Sequence, residues 1–298
     1  MVTLIETRPS AEQTSPAPRQ PRPAHKRGAV RWVVLGIAIL TGVVMASPFL
    51  VLVLTAFRTQ SDYAANGPFS VPDQLTLSAF GRYLRDVDFP PPLWNSVAIS
   101  LLVAVIGVLI SLLASYAIGV GKIRGATLVT GVLLFATMLP QEAIIYPLFH
   151  GAQALGLRDS IWSVVIIFAV LQSAFGTYLL GSVFGTFPPS LLEAARLDGA
   201  NRWQVLWQVV FPVMRPTLSV LLIFFFIWTW NEFYIPVVML TDPANQTVPI
   251  ALSTLRGQLS TDITELNAGS LLSLLPTLLF FLFFQRTLTR GITAGAVK

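Results

Sequence analysis

Long apolar stretches separated by shorter polar ones run along most of the chain. A helix needs about 20 mainly apolar residues to cross a bilayer, and inside the bilayer only a helix or a closed barrel satisfies the backbone hydrogen bonds. Continuous apolar runs favour helices over strands. The pattern therefore predicts an all-α polytopic membrane protein with six spans, over residues 32–57, 95–120, 127–149, 161–184, 218–240 and about 268–284. Pro48 is expected to kink the first span.

The N-terminal residues have a different composition, rich in Pro, Ser, Gln and Arg. Such a segment buries too little apolar surface to offset the entropy of ordering it, so we expect it to be disordered. It is too long and too polar for the start of a typical signal peptide, and Met45-Ala46-Ser47 is a poor cleavage site. We predict a cytoplasmic tail over residues 1–30, a transmembrane domain over 31–290 and a cytoplasmic C-terminal tail over 291–298.

Composition excludes several kinds of site. Hydrophobic residues make up 54% of the chain and charged residues only 11%, against about 25% charged in soluble domains. There is no cysteine, and the two histidines, His25 and His150, are far apart in sequence. The chain also lacks a zinc-protease motif and a nucleophile beside a base. We therefore expect no disulfide, no metal site, no cofactor bound by this chain and no catalytic activity of its own.

The distribution of Lys and Arg predicts the orientation. If the N-terminus is cytoplasmic and the spans alternate, the basic residues left outside are Arg58, Arg82, Arg85, Arg158 and Arg256. The remaining Lys and Arg then lie inside, as the positive-inside rule requires. Both termini are therefore predicted to be cytoplasmic.

Three connections are unusually long. Residues 58–94 and 241–267 are predicted to be external, and we expect the first to pack as a cap. Residues 187–216, between the fourth and fifth spans, are predicted to be cytoplasmic and to form two short helices. Ser190 with Glu193 is a candidate capping box, Gly199 a left-handed helix end, and Asn201 with Gln204 a second cap leading a helix toward Pro212. A DNA-binding helix-turn-helix is excluded because both ends are tethered near the bilayer and no basic stripe is present, whereas an amphipathic helix lying on lipid headgroups stays an alternative.

The same loop resembles the permease subunits of binding-protein-dependent ABC importers. Their hallmark is Glu-Ala-Ala, three residues, Gly, nine residues, then Ile-x-Leu-Pro. Here Glu193-Ala194-Ala195 is followed at the matching positions by Gly199, Val209, Phe211 and Pro212. Two hydrophobic positions differ conservatively, Val replacing Ile and Phe replacing Leu. The run Asp198-Gly199-Ala200 is also typical of that family.

Two further segments are similar to the carbohydrate permeases of the maltose type. One is Trp230-Asn231-Glu232-Phe233 in the fifth predicted span, and the other is the glycine-rich end of the chain, residues 291–298. The second is similar to the C-terminus of the second permease of that group, which reaches the ATPase interface. The likeness extends from Trp32 to Lys298.

The resemblance implies a bacterial inner-membrane protein that works with other chains. It implies a heterodimer with a second permease, a cytoplasmic ATPase dimer that holds ATP and Mg, and an extracytoplasmic solute-binding protein. The substrate would be a sugar of the oligosaccharide, disaccharide or polyol-phosphate type; the alternatives are an ABC permease for another small solute, or a secondary transporter. The residues implied to couple to the ATPase are Glu193, Ala194, Ala195, Leu197, Asp198, Gly199 and Ala200. Those implied to contact the binding protein are Arg256, Gly257 and Gln258.

Polar side chains inside the predicted spans are candidates for a substrate pathway, since such groups are costly in the membrane. Trp228, Asn231 and Glu232 fall on one face of a continuous helix with Ile235. A tryptophan beside an amide and a carboxylate suits a sugar, and Gln172 and Tyr146 are further candidates. The alternative is that these groups only hydrogen-bond between helices.

Overall fold

Helices account for all regular structure in the described part of the chain. The computed structural model describes residues 28–121, 123–185, 187–255 and 262–294. The helices are α1 (Gly28–Ala56), α2 (Gln60–Asn66), α3 (Ser78–Asp86), α4 (Pro90–Gly119), α5 (Ala126–Met138), α6 (Gln141–Ala154), α7 (Ile161–Phe184), α8 (Pro189–Leu197), α9 (Arg202–Gln204), a π-helix (Val205–Val210), α10 (Phe211–Trp230), α11 (Tyr234–Met239), a 3-10 turn (Pro243–Asn245), α12 (Val248–Thr254) and α13 (Ile263–Ala294). The prediction of an all-α chain is confirmed for these residues.

Within those ranges, five helices are long and apolar enough to cross a membrane. They are Arg31–Ala56, Pro90–Gly119, Ile161–Phe184, Arg202–Trp230 and Ile263–Gln285. The helix pair α5–α6 is a sixth candidate if the two count as one span. The fourth predicted span agrees with α7 at both ends, and α1 contains Pro48 as expected. Contacts divide the chain into two units, residues 1–48 and residues 49–298.

The third predicted span, over residues 127–149, is not one straight helix. The axes of α5 and α6 differ by 100° across Leu139 and Pro140. Proline has no N–H to donate and forces the residue before it out of the helical region. Leu139 accordingly has φ −69° and ψ 127°. The prediction of a continuous third span is therefore wrong.

The fifth predicted span, over residues 218–240, is displaced toward the N-terminus. The helix that begins at Arg202 continues without interruption through Pro212 to Trp230. A π-helix precedes the proline, and the Phe211 N–H donates to the Leu206 carbonyl, five residues earlier. This wider turn reconciles a proline with a continuous helix. The short second helix expected to end near Pro212 is instead the beginning of this span.

Close packing of α4, α7 and α10 forms the centre of the second unit. Small residues allow this: Gly176 has no room for a Cβ beside Ser111 and Phe225, and a Cβ at Gly107 would lie only 3.1 Å from the Phe225 ring. The Ser111 hydroxyl donates to the Gly107 carbonyl at 2.6 Å and lies 3.3 Å from the Ser173 carbonyl of α7. Small residues and serines at helix contacts are typical of membrane bundles.

The segment between α1 and α4 folds on the chain as a cap, as predicted. Arg58 is fully buried and donates to the Gly67 carbonyl at 2.7 Å, and also to the hydroxyl and the carbonyl of Ser70. Arg82 of α3 lies 2.9 Å from the carboxylate of Asp262, just before α13. An ion pair therefore links the cap to the last helix.

Asp159 connects the α6–α7 turn to the segment after α11. Its Oδ1 accepts the backbone N–H and the hydroxyl of Thr241, both at 2.6 Å, and the N–H of Asp242 at 3.0 Å. The hydrogen bond from the Thr241 hydroxyl, with those from the two amides, holds the pKa of Asp159 below its usual range. A hydrogen bond to the charged form of a carboxyl lowers its pKa.

We expect the clamp at Asp159 to depend on pH. Because the pKa is lower in the folded chain than in the unfolded chain, the clamp stabilises the fold above the ordinary pKa of about 4 and stops doing so as pH falls through the folded pKa. Asp159 has φ +52°, a conformation that asparagine also tolerates. Asp159→Asn should therefore lower the thermal unfolding midpoint above pH ~4, and the difference from wild type should vanish at lower pH. A difference that is constant with pH would contradict this.

Candidate functional site

The two ends of α4 contact different parts of the chain. Near the start of α4, the Asn95 side chain donates to the carbonyls of Ala244 and Gln246, and the Ser96 hydroxyl accepts the N–H of Val248 at the start of α12. At the other end of α4, the Tyr116 hydroxyl donates to the Arg202 carbonyl at 2.9 Å. Because Ser96 and Tyr116 are about 20 residues apart on α4, these contact points are about 30 Å apart at 1.5 Å per residue. The segment over residues 188–204, here called the hairpin, therefore lies at the opposite end from the Asp159 clamp.

A backbone turn closes the first helix of the hairpin. The Ala200 N–H donates to the Ala195 carbonyl at 3.0 Å, and the Gly199 N–H to the Arg196 carbonyl at 3.1 Å. This pair of bonds is a Schellman motif, which needs a left-handed residue after the helix end. Gly199 has φ +75°, so the predicted left-handed glycine is confirmed.

Of the two predicted caps, one is present. Asn201 accepts the N–H groups of Trp203 and Gln204 at 3.0 Å, and its own N–H donates to the Gln204 side chain at 2.8 Å. This is a complete capping box. The Ser190–Glu193 box is wrong: α8 begins at Pro189, so Ser190 lies inside its first turn, and the preceding residue makes no side-chain cap.

The candidate coupling residues lie together on the hairpin, but some are exposed and others are buried. Glu193, Ala194, Asp198 and Gly199 are exposed, and Leu197 is 88% exposed. The structure buries Ala195 to 7% exposure against the start of the next helix, and Ala200 is half-buried. The exposed members lie on the surface of the hairpin, whereas Ala195 packs between its two helices.

The intramembrane candidates meet only in part. A cavity of about 240 Å³ lies where α5 breaks from α6, and α7 and α10 complete it. Its lining includes Leu139, Gln141, Ile144, Gln172, Phe175 and Trp228. Two predicted pathway residues, Gln172 and Trp228, therefore share one cavity.

Inside this cavity, an amide lies beside aromatic rings. Gln172 is 4% exposed; its Nε2 donates to the Thr229 hydroxyl at 2.9 Å, and its Oε1 has no hydrogen-bond partner. The rings of Phe175 and Trp228 meet edge to face at 6.1 Å. A buried acceptor without a partner costs free energy unless a ligand or water satisfies it. The lining thus combines apolar ring surface with one free acceptor, which fits a ligand that has hydroxyl groups and apolar faces.

Asn231 and Glu232 do not lie on a helical face with Trp228 and Ile235, because α10 ends at Trp230. The Asn231 side chain donates to the Ile227 carbonyl at 2.7 Å. Glu232 accepts the N–H groups of Phe233 and Tyr234, both at 3.2 Å. These bonds satisfy the backbone at the break before α11, as any interruption at membrane depth requires. The prediction of one continuous face is wrong.

Tyr146 also lies elsewhere, whereas a residue that was not predicted lines the cavity. Tyr146 is 72% exposed and packs its ring on His150 at 4.4 Å. Gln141 lines the cavity, and its Nε2 lies 3.5 Å from Glu232 Oε2. Its position directly after Pro140 was the available signal, because a proline that interrupts a helix places the next residue beside the break.

The candidate binding-protein contacts Arg256, Gly257 and Gln258 lie outside the described residues, as do residues 1–27 and 295–298 of the predicted tails. In the part of the chain that the structure covers, no three His, Cys, Asp or Glu side chains lie close enough to hold a metal ion.

Comparison with known proteins gives consistent matches over nearly the whole chain. Residues 24–292 match the family described as binding-protein-dependent transport system inner membrane component. The trehalose transport system permease protein SugB of Mycobacterium tuberculosis is 30% identical over 230 residues, which cover 76% of this chain and 84% of SugB. The arabinooligosaccharides transport system permease protein AraQ of Halalkalibacterium halodurans is 31% identical over 260 residues, covering 84% of this chain and 90% of AraQ.

The fold is also similar to that of a chain in the crystal structure of a bacterial ABC transporter involved in the import of the acidic polysaccharide alginate. The TM-score is 0.72 at 24% identity, and the match covers 90% of this chain and 99% of that chain.

Proposed function

Because the chain belongs to the family of binding-protein-dependent transport system inner membrane components, we propose that it is a permease subunit of an ATP-binding-cassette importer that carries a sugar into the cytoplasm. The observation that carries this proposal is the family match over residues 24–292. Relatives named for trehalose and for arabinooligosaccharide transport support the sugar class.

The cavity is the part of this chain that we assign to the sugar pathway. The rings of Phe175 and Trp228 offer apolar surface for the C–H face of a pyranose. Gln172 lines the same space, and its Oε1, which has no hydrogen-bond partner but is shielded from solvent, would accept a sugar hydroxyl once the amide turned toward the cavity. Gln141, at the 100° break, adds a second amide at the edge of the same space. Movement of α5 against α6 at this break would open or close the cavity.

The hairpin is the part that we assign to energy coupling. Its exposed surface, Glu193, Ala194, Leu197, Asp198 and Gly199, would enter a cleft of a cytoplasmic ATPase dimer, which holds ATP and Mg. This chain does not hydrolyse ATP. The free energy for sugar transport comes from the difference in how strongly the ATPase binds the hairpin in its two nucleotide states. A second permease would complete the transmembrane pathway, and a solute-binding protein would deliver sugar at the opposite end, near Arg256, Gly257 and Gln258.

The direct test is transport by the reconstituted complex. The chain, its partner permease, the ATPase and the solute-binding protein are incorporated in proteoliposomes, and uptake of radiolabelled trehalose, arabinotriose and lactose is measured with and without ATP. We expect ATP-dependent uptake of at least one sugar and none of leucine or phosphate. Uptake of an amino acid or of phosphate without any sugar would refute the sugar assignment.

A substitution at Trp228 tests the role of the cavity independently of the coupling surface. Removing an aromatic stacking partner costs about 1 kcal/mol, or about fivefold in binding. Trp228→Ala should therefore raise the sugar concentration for half-maximal uptake about fivefold. Trp162, which is equally exposed at the start of α7 but outside the cavity, is the matched control. Equal effects of Trp162→Ala and Trp228→Ala would contradict the role of Trp228.

A further inference from the structure

A second cavity, of about 380 Å³, lies between the end of α4 and the hairpin. It differs from the intramembrane cavity because two cationic side chains line it. Its lining includes Tyr116, Leu192, Arg196, Ala200, Arg202 and Val205. None of these takes part in the sugar pathway proposed above.

The two arginines have no counter-charge of their own. Among the described residues, neither the Arg196 nor the Arg202 guanidinium forms an ion pair or a hydrogen bond, and both side chains are exposed. Two cations that line one space repel each other, and an anion placed between them removes that repulsion. Guanidinium groups match the geometry of phosphate oxygens particularly well.

The cavity lies at the end of a span, where lipid headgroups are found. Tyr116 belongs to the last turn of α4, and Trp203 and Trp207 follow Arg202 with 64% and 41% exposure. Exposed tryptophans are typical of the boundary between the membrane core and water. This end is also the one that the Lys and Arg distribution assigns to the cytoplasm, where the leaflet is anionic.

The cavity and the exposed coupling surface use different sides of α8. Leu192 and Arg196 are one helical turn apart on the side that lines the cavity, whereas Leu197 is almost fully exposed. A ligand in the cavity would therefore leave the exposed side of the hairpin free.

From these observations we propose that the cavity binds the phosphate group of an anionic phospholipid, with Arg196 and Arg202 as its ligands. The Tyr116 hydroxyl is a positioning group: by donating to the Arg202 carbonyl it holds that residue beside α4. Leu192 and Val205 supply apolar surface for the glycerol end of the lipid. The bound lipid joins α4 to the hairpin and limits the movement of the hairpin relative to the membrane.

The test is lipid retention by the full complex. The complex is purified, exchanged into mixed phosphatidylglycerol and phosphatidylcholine, and examined by native mass spectrometry. Each juxtamembrane arginine is expected to contribute about fivefold to anionic lipid binding. Arg196→Gln and Arg202→Gln should each lower phosphatidylglycerol retention by about that factor, whereas Arg196→Lys, which keeps the charge, should retain most of it. Arg215→Gln removes an exposed arginine of α10 that lies on the Phe211 ring outside this cavity, and should change nothing.

A competition arm distinguishes a lipid from a free phosphate. Millimolar inorganic phosphate should leave phosphatidylglycerol bound, because the lipid is also held by its apolar part. Displacement of the lipid by inorganic phosphate would overturn the assignment to a lipid. Unchanged retention in Arg196→Gln and Arg202→Gln, or an equal loss in Arg215→Gln, would overturn the site itself.

Discussion

Replacing Gly199 by valine is expected to lower ATP-driven sugar uptake at least tenfold while the chain still inserts in the membrane. Gly199 has φ +75°, and the left-handed conformation costs an ordinary residue about 1–2 kcal/mol, with β-branched residues among the worst. Nothing lies within 4 Å of a Cβ built at Gly199, so the cost comes from the backbone and not from crowding within the chain. Relief of this strain would break the bonds of Gly199 and Ala200 to the preceding turn and redirect the hairpin.

The variant Gly199→Asn distinguishes two reasons for needing glycine here: the left-handed turn, and close approach of the ATPase to the backbone. Asparagine adopts the left-handed conformation more readily than other side chains. If the turn is what matters, Gly199→Asn should transport far better than Gly199→Val; if the ATPase must approach the bare backbone, both should fail. The measurements are sugar uptake and the ATPase rate with loaded binding protein. Wild-type coupling in Gly199→Val would disprove the role of the hairpin turn.

Replacing Gly176 by alanine is expected to destabilise the helix bundle strongly and to lower the yield of folded protein. A Cβ at this position would overlap Ser111 Oγ and lie 2.9 Å from both Ser111 Cβ and Phe225 Cζ. These atoms belong to α4 and α10, so relief requires the three central helices to separate. Overpacking in a close-packed core costs about 1–3 kcal/mol, and sometimes more, which is a large part of the stability of a typical fold. We expect a severe loss of monodisperse protein after detergent extraction, with a lower thermal unfolding midpoint.

Gly181 gives a control on the same helix. A Cβ there meets nothing within 4 Å, so Gly181→Ala should be neutral or slightly stabilising. Ser111→Gly removes both serine atoms nearest the new methyl group and should partly restore Gly176→Ala. Equal yields of Gly176→Ala and Gly181→Ala would contradict the close approach of α4 and α10 to Gly176.

Properties that depend on local sequence were predictable. The length and apolarity of a run decide whether it spans a membrane, and the residues at the ends of Ile161–Phe184 mark that helix without reference to the rest of the chain. The turn at Gly199 and the capping box of Asn201 also follow from a few neighbouring residues.

Properties that depend on the path of the backbone inside the membrane were not predictable from hydropathy. Hydropathy taken over the length of a span treats Pro140 and Asn231–Phe233 as interior parts of two spans, so it does not show where the helices break. The prediction that Asn231 and Glu232 share a helical face with Trp228 was wrong because it assumed that the helix continues past Trp230. Gln172 and Trp228 meet because α7 packs beside α10, and Arg58 and Asp159 have partners that only the folded chain brings near.

In the described part of the chain, the hydrogen bonds of the hairpin are nearly all internal, and the Tyr116 hydroxyl adds one from α4. Such a segment is pre-organised, so its association with another protein loses little conformational entropy. Under the proposed function, the ATPase meets a rigid body whose shape is complete before contact. Detachment and re-engagement during repeated nucleotide cycles then require no refolding of the permease, and the rate of re-association is set by diffusion and orientation.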